Sequence, residues 1–344
     1  MRWLNPTPVT AMAKRPGIRA NRPWRRNLNV LAHRARLGTA LGFPSLMAAE
    51  YGISSLHIIE SLGETFDEPG KELMRRLQAK GGKLKDFPIN YHEGFGRAEI
   101  FKTLTEIYDN EAHSGLVPIL HFECHGDASG IQLRDGTTIY WTELAQRFRA
   151  FNIASRFNLL VVLACCDGIH QIQVLTIHDM CPFSAVVGCE GKIYTSELLN
   201  GYERFYEILV NDGKAFRAEA ALQAAVTESA GTQFRLFSAE RAFGLVYANV
   251  NRINYDPAIR RKRITFYRRE LDRMRALNGN LTSSTDTEVD AYLQQAEEKT
   301  LREFFGTFFA CREMPENVTR FDYASIARRA LAAAHKGGSE GVPA

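Results

Sequence analysis

The chain has 344 residues, 45% of them apolar and 24% charged, with a formal net charge of +4. That balance belongs to ordinary folded domains and excludes a wholly disordered or collagen-like chain. No run nears the ~18 uninterrupted apolar residues of a membrane helix, so no transmembrane segment is expected.

The charge is unevenly spread. Residues 1–49 hold nine Lys or Arg (Arg2, Lys14, Arg15, Arg19, Arg22, Arg25, Arg26, Arg34, Arg36) and no acid, which leaves −5 on residues 50–344. Residues 1–50 therefore read as a basic N-terminal arm, and Pro6, Pro8, Pro16 and Pro23 predict that it starts without regular structure. Its chemistry suits RNA, an anionic membrane surface or an acidic partner; it also has a transit-peptide composition, or is a plain extension packed on the body.

From residue 51 strand and helix signals alternate. Ser54–Ser61 reads as a strand, Gly70–Ala79 as a helix, Pro88–His92 as a short strand, and Arg97–Asn110 as a helix with Ile100, Leu104 and Ile107 on one face. Val117–Cys124 is a strand. Asp135-Gly136 inside Gly130–Tyr140 signals a hairpin. Thr142–Phe151 is a helix, and Asn158–Ala164 and Phe183–Cys189 are apolar strands. Near-continuous apolar strands separated by helices predict an α/β fold, a mostly parallel sheet with helices on both faces.

Ser196 is the expected cap of a helix through Leu199, Tyr202, Tyr206 and Leu209, followed by a helix from about Ala215 to Glu228. Leu236–Asn249 reads as a further strand region, closing a domain at 51–250. Residues 251–336 form a C-terminal all-helical extension. There, Ile264, Tyr267, Leu271 and Met274 predict a helix with one packed face that stops at Asn278-Gly279. Thr285 and Glu288 make a capping box, and a last helix spans roughly Tyr323–His335. Residues 337–344 read as a disordered tail.

Two strand ends carry reactive residues. One is His121-Phe-Glu-Cys-His125-Gly126 and the other Ala164-Cys165-Cys166-Asp167-Gly168. Both sit at carboxyl ends of expected parallel strands, where open α/β sheets bind ligands. A histidine at one end and a cysteine at another supply a base and a nucleophile, and Gly126 frees the backbone to aim an N–H at a developing oxyanion. His121, Glu123 and His125 share one strand face while Cys124 points to the other, so no zinc-ligand spacing is completed. No metal and no cofactor are expected, and His121 reads as a structural partner near the pair.

The string LHFECHGDASGIQLRDG, a helix, and then LLVVLACCDG resembles the CHAT branch of the caspase-like (clan CD) cysteine peptidases across roughly residues 54–230. In that family a strand ends in His-Gly and a later one in Ala-Cys-x-x-Gly. The local caspase signature likewise sets its histidine about 50 residues upstream of the cysteine; here the gap is 40 residues. The resemblance implies a caspase-like α/β fold and a thiol protease with His125 as catalytic histidine and Cys165 as nucleophile. The backbone of Gly126 and Cys165 would hold the oxyanion. Cys165 matches the Ala-before, Gly-after pattern, whereas counting along the apolar run selects Cys166.

Relatives that cleave after Arg or Lys place an Asp two residues before the nucleophile. Leu163 stands there in this chain, and Asp127, Asp167 and Glu190 are the nearby acids that could line a substrate pocket instead. Sparse cysteines without a disulfide framework point to reduced thiols and a cytoplasmic setting. The resemblance implies a regulated endopeptidase of a bacterial immunity (antiviral defence) or cell-death system, with a protein substrate and a regulatory or sensor protein. The rival reading is a catalytically silent adaptor that binds a protein or nucleic acid through basic segments, including the cluster Arg260–Arg275.

Overall fold

The computed structural model describes residues 52–63, 68–192, 194–225, 232–279 and 282–337. The basic arm and the tail from residue 338 lie outside the described residues.

Strand β1 (Ser55–Ser61) is buried along its whole length because it runs through the sheet interior. On one side it pairs in parallel with β2 (Ile89–Glu93), and on the other with β3 (Pro118–Gly126). Beyond β3 come β6 (Leu160–Ala164) and β7 (Ala185–Glu190), both parallel, and β8 (Gln233–Ser238), antiparallel at the edge. The order is β2-β1-β3-β6-β7-β8. A hairpin of β4 (Gly130–Gln132) and β5 (Thr138–Tyr140) grows from the end of β3, with His125 opposite Gln132 and Gly126 opposite Ile131. This mixed, mostly parallel eight-stranded sheet is the expected α/β arrangement. Strand order reverses between β1 and β3, and the carboxyl ends beside such a reversal form the natural crevice of an open sheet.

Residue alternation sends each strand's side chains to two apolar layers. One layer packs Leu56, Ile58, Ile119, Val162, Ala164, Val187 and Cys189 against helices α1 (Pro69–Gln78), α4 (Thr195–Asp212) and α5 (Ala215–Ala224). The other packs Leu120, Phe122, Cys124, Val161, Leu163 and Cys165 against α2 (Arg97–Asn110) and α3 (Trp141–Ala154). The same second layer takes in α6 (Ala239–Asn254), α8 (Asp286–Phe308) and α10 (Tyr323–Gly337) through Phe243, Phe305, Phe308 and Ile326. Phe157 meets Phe309 and Phe321 at 5.8 and 5.2 Å between centroids, and the Cys181 amide donates to the Phe308 carbonyl. At about 1.5–3 kcal/mol for each fully buried Phe, these contacts make the C-terminal helices part of the sheet's covering. The remaining helices are α7 (Pro257–Leu277), a hairpin partner of α8, and the short α9 (Asn317–Arg320).

Three expectations are corrected. Leu236–Asn249 is not a strand region: β8 ends at Ser238, whose hydroxyl caps α6 by accepting from the Arg241 amide. The expected boundary near 250 therefore falls inside α6. Ser196 is not a cap. Tyr194 holds the N-cap position, in extended backbone, and its carbonyl accepts from the amides of Glu197 and Leu198. The stripe of α7 is less covered than its spacing predicts: Ile264, Tyr267 and Leu271 are half-buried, Met274 is exposed, and Arg260 is its one buried residue.

Among the described residues no helix is long and apolar enough to cross a membrane.

Candidate active site

The two reactive strand ends, β3 and β6, are neighbours. Their register runs to Glu123 opposite Ala164, and the Cys165-Cys166 turn that follows comes against Cys124 and Gly126. Alternation sorts the residues of β3 onto two sides. Cys124 and Cys165 belong to the layer holding Phe122 and Leu163, and their thiols hydrogen-bond to each other. His125 falls on the opposite side of β3, with His121 and Glu123, and Cys166 lies in the turn that follows β6.

The Cys165 thiol is sealed. Its residue is 2% exposed, and two glycines close over it. A Cβ at Gly126 would lie 2.5 Å from the Cys166 carbonyl oxygen and 2.8 Å from Cys165 Sγ. One at Gly168 would lie 2.8 Å from the Leu163 carbonyl oxygen and 3.1 Å from Cys165 Sγ. The hydrogen bond with Cys124, then burial, pushes the Cys165 thiol well above its ordinary range. Such a thiol stays protonated, and the thiolate is the nucleophile. Cys166 is only partly buried and His125 is exposed, so this pair meets solvent.

The acids proposed for the pocket have local duties. Asp127 accepts from the Ser129 hydroxyl and amide, both at 2.6 Å, and from the Gly130 amide at 3.1 Å. These bonds, the Ser129 hydroxyl first, hold its carboxyl below the usual range. Asp167 is in left-handed backbone (φ 56°), and its carboxylate accepts from the Gly191 amide at 3.0 Å while its own amide donates to the Gly191 carbonyl. It laces the end of β6 to the end of β7. Leu163 is fully buried in the core. Glu190, partly exposed at the end of β7, is the one acid of the three with neither duty.

Sequence reasoning singled out His121 as a structural partner but missed Tyr206 and Glu60 in the buried polar row around it. His121 Nδ1 lies 2.7 Å from the Tyr206 hydroxyl, and Nε2 lies 3.0 Å from Glu123. Burial drives His121 down and Glu123 up, towards a neutral pair in which Tyr206 donates to Nδ1 and Nε2–H donates to Glu123. Glu60, in register with both Glu93 and Glu123, is pushed up to about 7, chiefly by burial. On the other side of the sheet His57 Nε2 lies 2.9 Å from Glu111, and Nδ1 lies 3.0 Å from His92 Nε2. A cavity of about 330 Å³ opens at the ends of β1 and β2, lined by Glu60, Ser61, Tyr91, Glu93 and Arg134. The available signal was the spacing of polar residues at alternate positions in apolar strands, His57, His121 and Glu123 above all.

Among the described residues no group of three or more His, Cys, Asp or Glu is arranged to hold a metal ion. No family model matches the chain, and no curated protein matches it.

Proposed function

We propose that the protein is a cysteine endopeptidase of the caspase-like type, with His125 and Cys166 as its catalytic pair. One observation carries this reading: the His-Gly strand end and the Cys-bearing strand end are adjacent, and there His125 is exposed and Cys166 partly exposed while Cys165 is buried. Burial of Cys165 favours its neighbour as the nucleophile, although Cys165 fits the family spacing. Gly168, which supplied that spacing, has a packing duty against Leu163 and Cys165.

The chemistry is acyl transfer. His125 takes the Cys166 proton, the thiolate adds to a peptide carbonyl carbon, and the oxyanion is held by backbone N–H groups, Gly126 among them by resemblance. His125 then protonates the leaving amine as the C–N bond breaks. It next draws a proton from water, which attacks the thioester and frees Cys166. A protein substrate follows from the same resemblance, as does a regulatory partner that switches the enzyme on in a bacterial defence or death system. Glu190 and the acids of the β1–β2 cavity are the groups left to select a substrate side chain.

The test is proteome-wide cleavage mapping with the wild type beside Cys165→Ala, Cys166→Ala and His125→Ala, with and without co-expressed neighbouring genes. Cleavage should fall by at least about a thousandfold in Cys166→Ala and His125→Ala, and persist in Cys165→Ala. Loss confined to Cys165→Ala would return the nucleophile to that residue. Equal cleavage in all four proteins would sink the peptidase reading.

A further inference from the structure

The hairpin of α7 and α8 has two electrically different sides. Facing α8, the cations of α7 are matched: Arg260 meets Asp290 at 2.5 Å and Glu297 at 2.9 Å, Arg263 meets Glu297 at 2.5 Å, and Arg268 meets Asp286 at 2.7 Å. Facing away, Ile259, Lys262, Phe266, Arg269, Arg273 and Leu277 recur at steps of three and four, which places them on one stripe. All six are exposed, and Ile259, Phe266 and Leu277 are 39, 48 and 76% open. Among the described residues Lys262 and Arg269 have no ion pair. Arg273 reaches only Glu270 of its own helix, at 4.0 Å.

We propose that this outer face of α7 docks an acidic amphipathic helix of a second protein. The stripe is a helix-pairing seam in which aliphatic or aromatic residues alternate with cations, so its complement carries apolar side chains interleaved with carboxylates. A membrane surface fits less well, because Lys262 and Arg269 sit within the stripe rather than along its margins, and inserting Phe266 would carry them into the apolar layer. Nucleic acid would satisfy the cations but leave Ile259 and Leu277 uncovered. The arm offers no complementary carboxylates, since residues 1–49 hold nine cations and no acid. The surface is defined by charge and exposure and does not depend on the peptidase reading.

The probe is a synthetic 21-residue helix with Leu opposite Ile259, Phe266 and Leu277 and Glu opposite Lys262, Arg269 and Arg273. Fluorescence anisotropy with the full chain measures its binding, beside a Lys-for-Glu peptide, phosphatidylserine vesicles and a single-stranded RNA 20-mer. The Glu peptide should bind saturably. The triple variant Lys262→Glu, Arg269→Glu, Arg273→Glu should weaken it by about 30-fold or more and gain affinity for the Lys peptide. Phe266→Ser should weaken it about fivefold. Unchanged unfolding midpoints in both variants separate lost docking from lost folding. No saturable binding of the Glu peptide, binding indifferent to the triple variant, or tighter binding of RNA or vesicles that the triple variant abolishes would each overturn the proposal.

Discussion

Cys165 and Cys166 are covalent neighbours, yet they occupy different chemical worlds. One is locked beneath Gly126 and Gly168 against Cys124; the other sits partly exposed in the turn that follows the strand. The lesson is that burial separates two adjacent thiols which motif spacing alone does not tell apart.

The sharpest way to break that contrast is thiol labelling. Iodoacetamide at pH 7.5, followed by peptide mass spectrometry, should modify Cys166 at least about a hundredfold faster than Cys165, whose modification waits on opening of the core. Equal rates would show that the glycine seal is not real. A smaller effect is expected on the seal itself. Gly126→Ala brings a Cβ within 2.5 Å of the Cys166 carbonyl oxygen and 2.8 Å of Cys165 Sγ, so urea unfolding should show a loss of about 2–3 kcal/mol. Pairing it with Cys165→Ala should recover part of that loss, because the smaller side chain makes room.

The smallest effects are those of pH, and they oppose each other along β1. Burial lowers the pKa of both His57 and His92, so the unfolded chain binds their protons more tightly and stability falls as pH drops below about 6.5. Glu60 runs the other way. Its folded pKa is raised to about 7, so its contribution is complete below its ordinary value and is lost as pH rises towards 7 and beyond. Glu60→Gln should therefore raise the unfolding midpoint relative to wild type at pH 8 and show no such gain at pH 4. A constant difference across that range would mean Glu60 is not protonated in the folded protein.

Much of this was legible in the chain. Arg97–Asn110 forms the helix its spacing predicts, the Asp135-Gly136 hairpin is present, and His121 and Glu123 are separated from Cys124 as alternation requires. The misreadings have physical causes. Leu236–Asn249 mixes a short edge strand with the start of a helix. Ala242, Phe243, Tyr247 and Val250 already carry the helical period, but the apolar residues at 234–237 hide the change at Ser238. Tyr194 caps α4 by backbone geometry, which side-chain preference does not reveal. The polar row of Glu60, Glu93 and Glu123 was hidden because it joins three segments distant in sequence.

The aromatic covering of the sheet has a consequence during synthesis. Phe157 and Phe183 emerge from the ribosome well before Phe305, Phe309 and Phe321, which complete their apolar layer. At about 5–20 residues per second the interval is on the order of 10–30 s. Through that interval the nascent chain carries an uncovered greasy face, a ready client for a chaperone. A truncation at residue 250 would make that waiting state permanent.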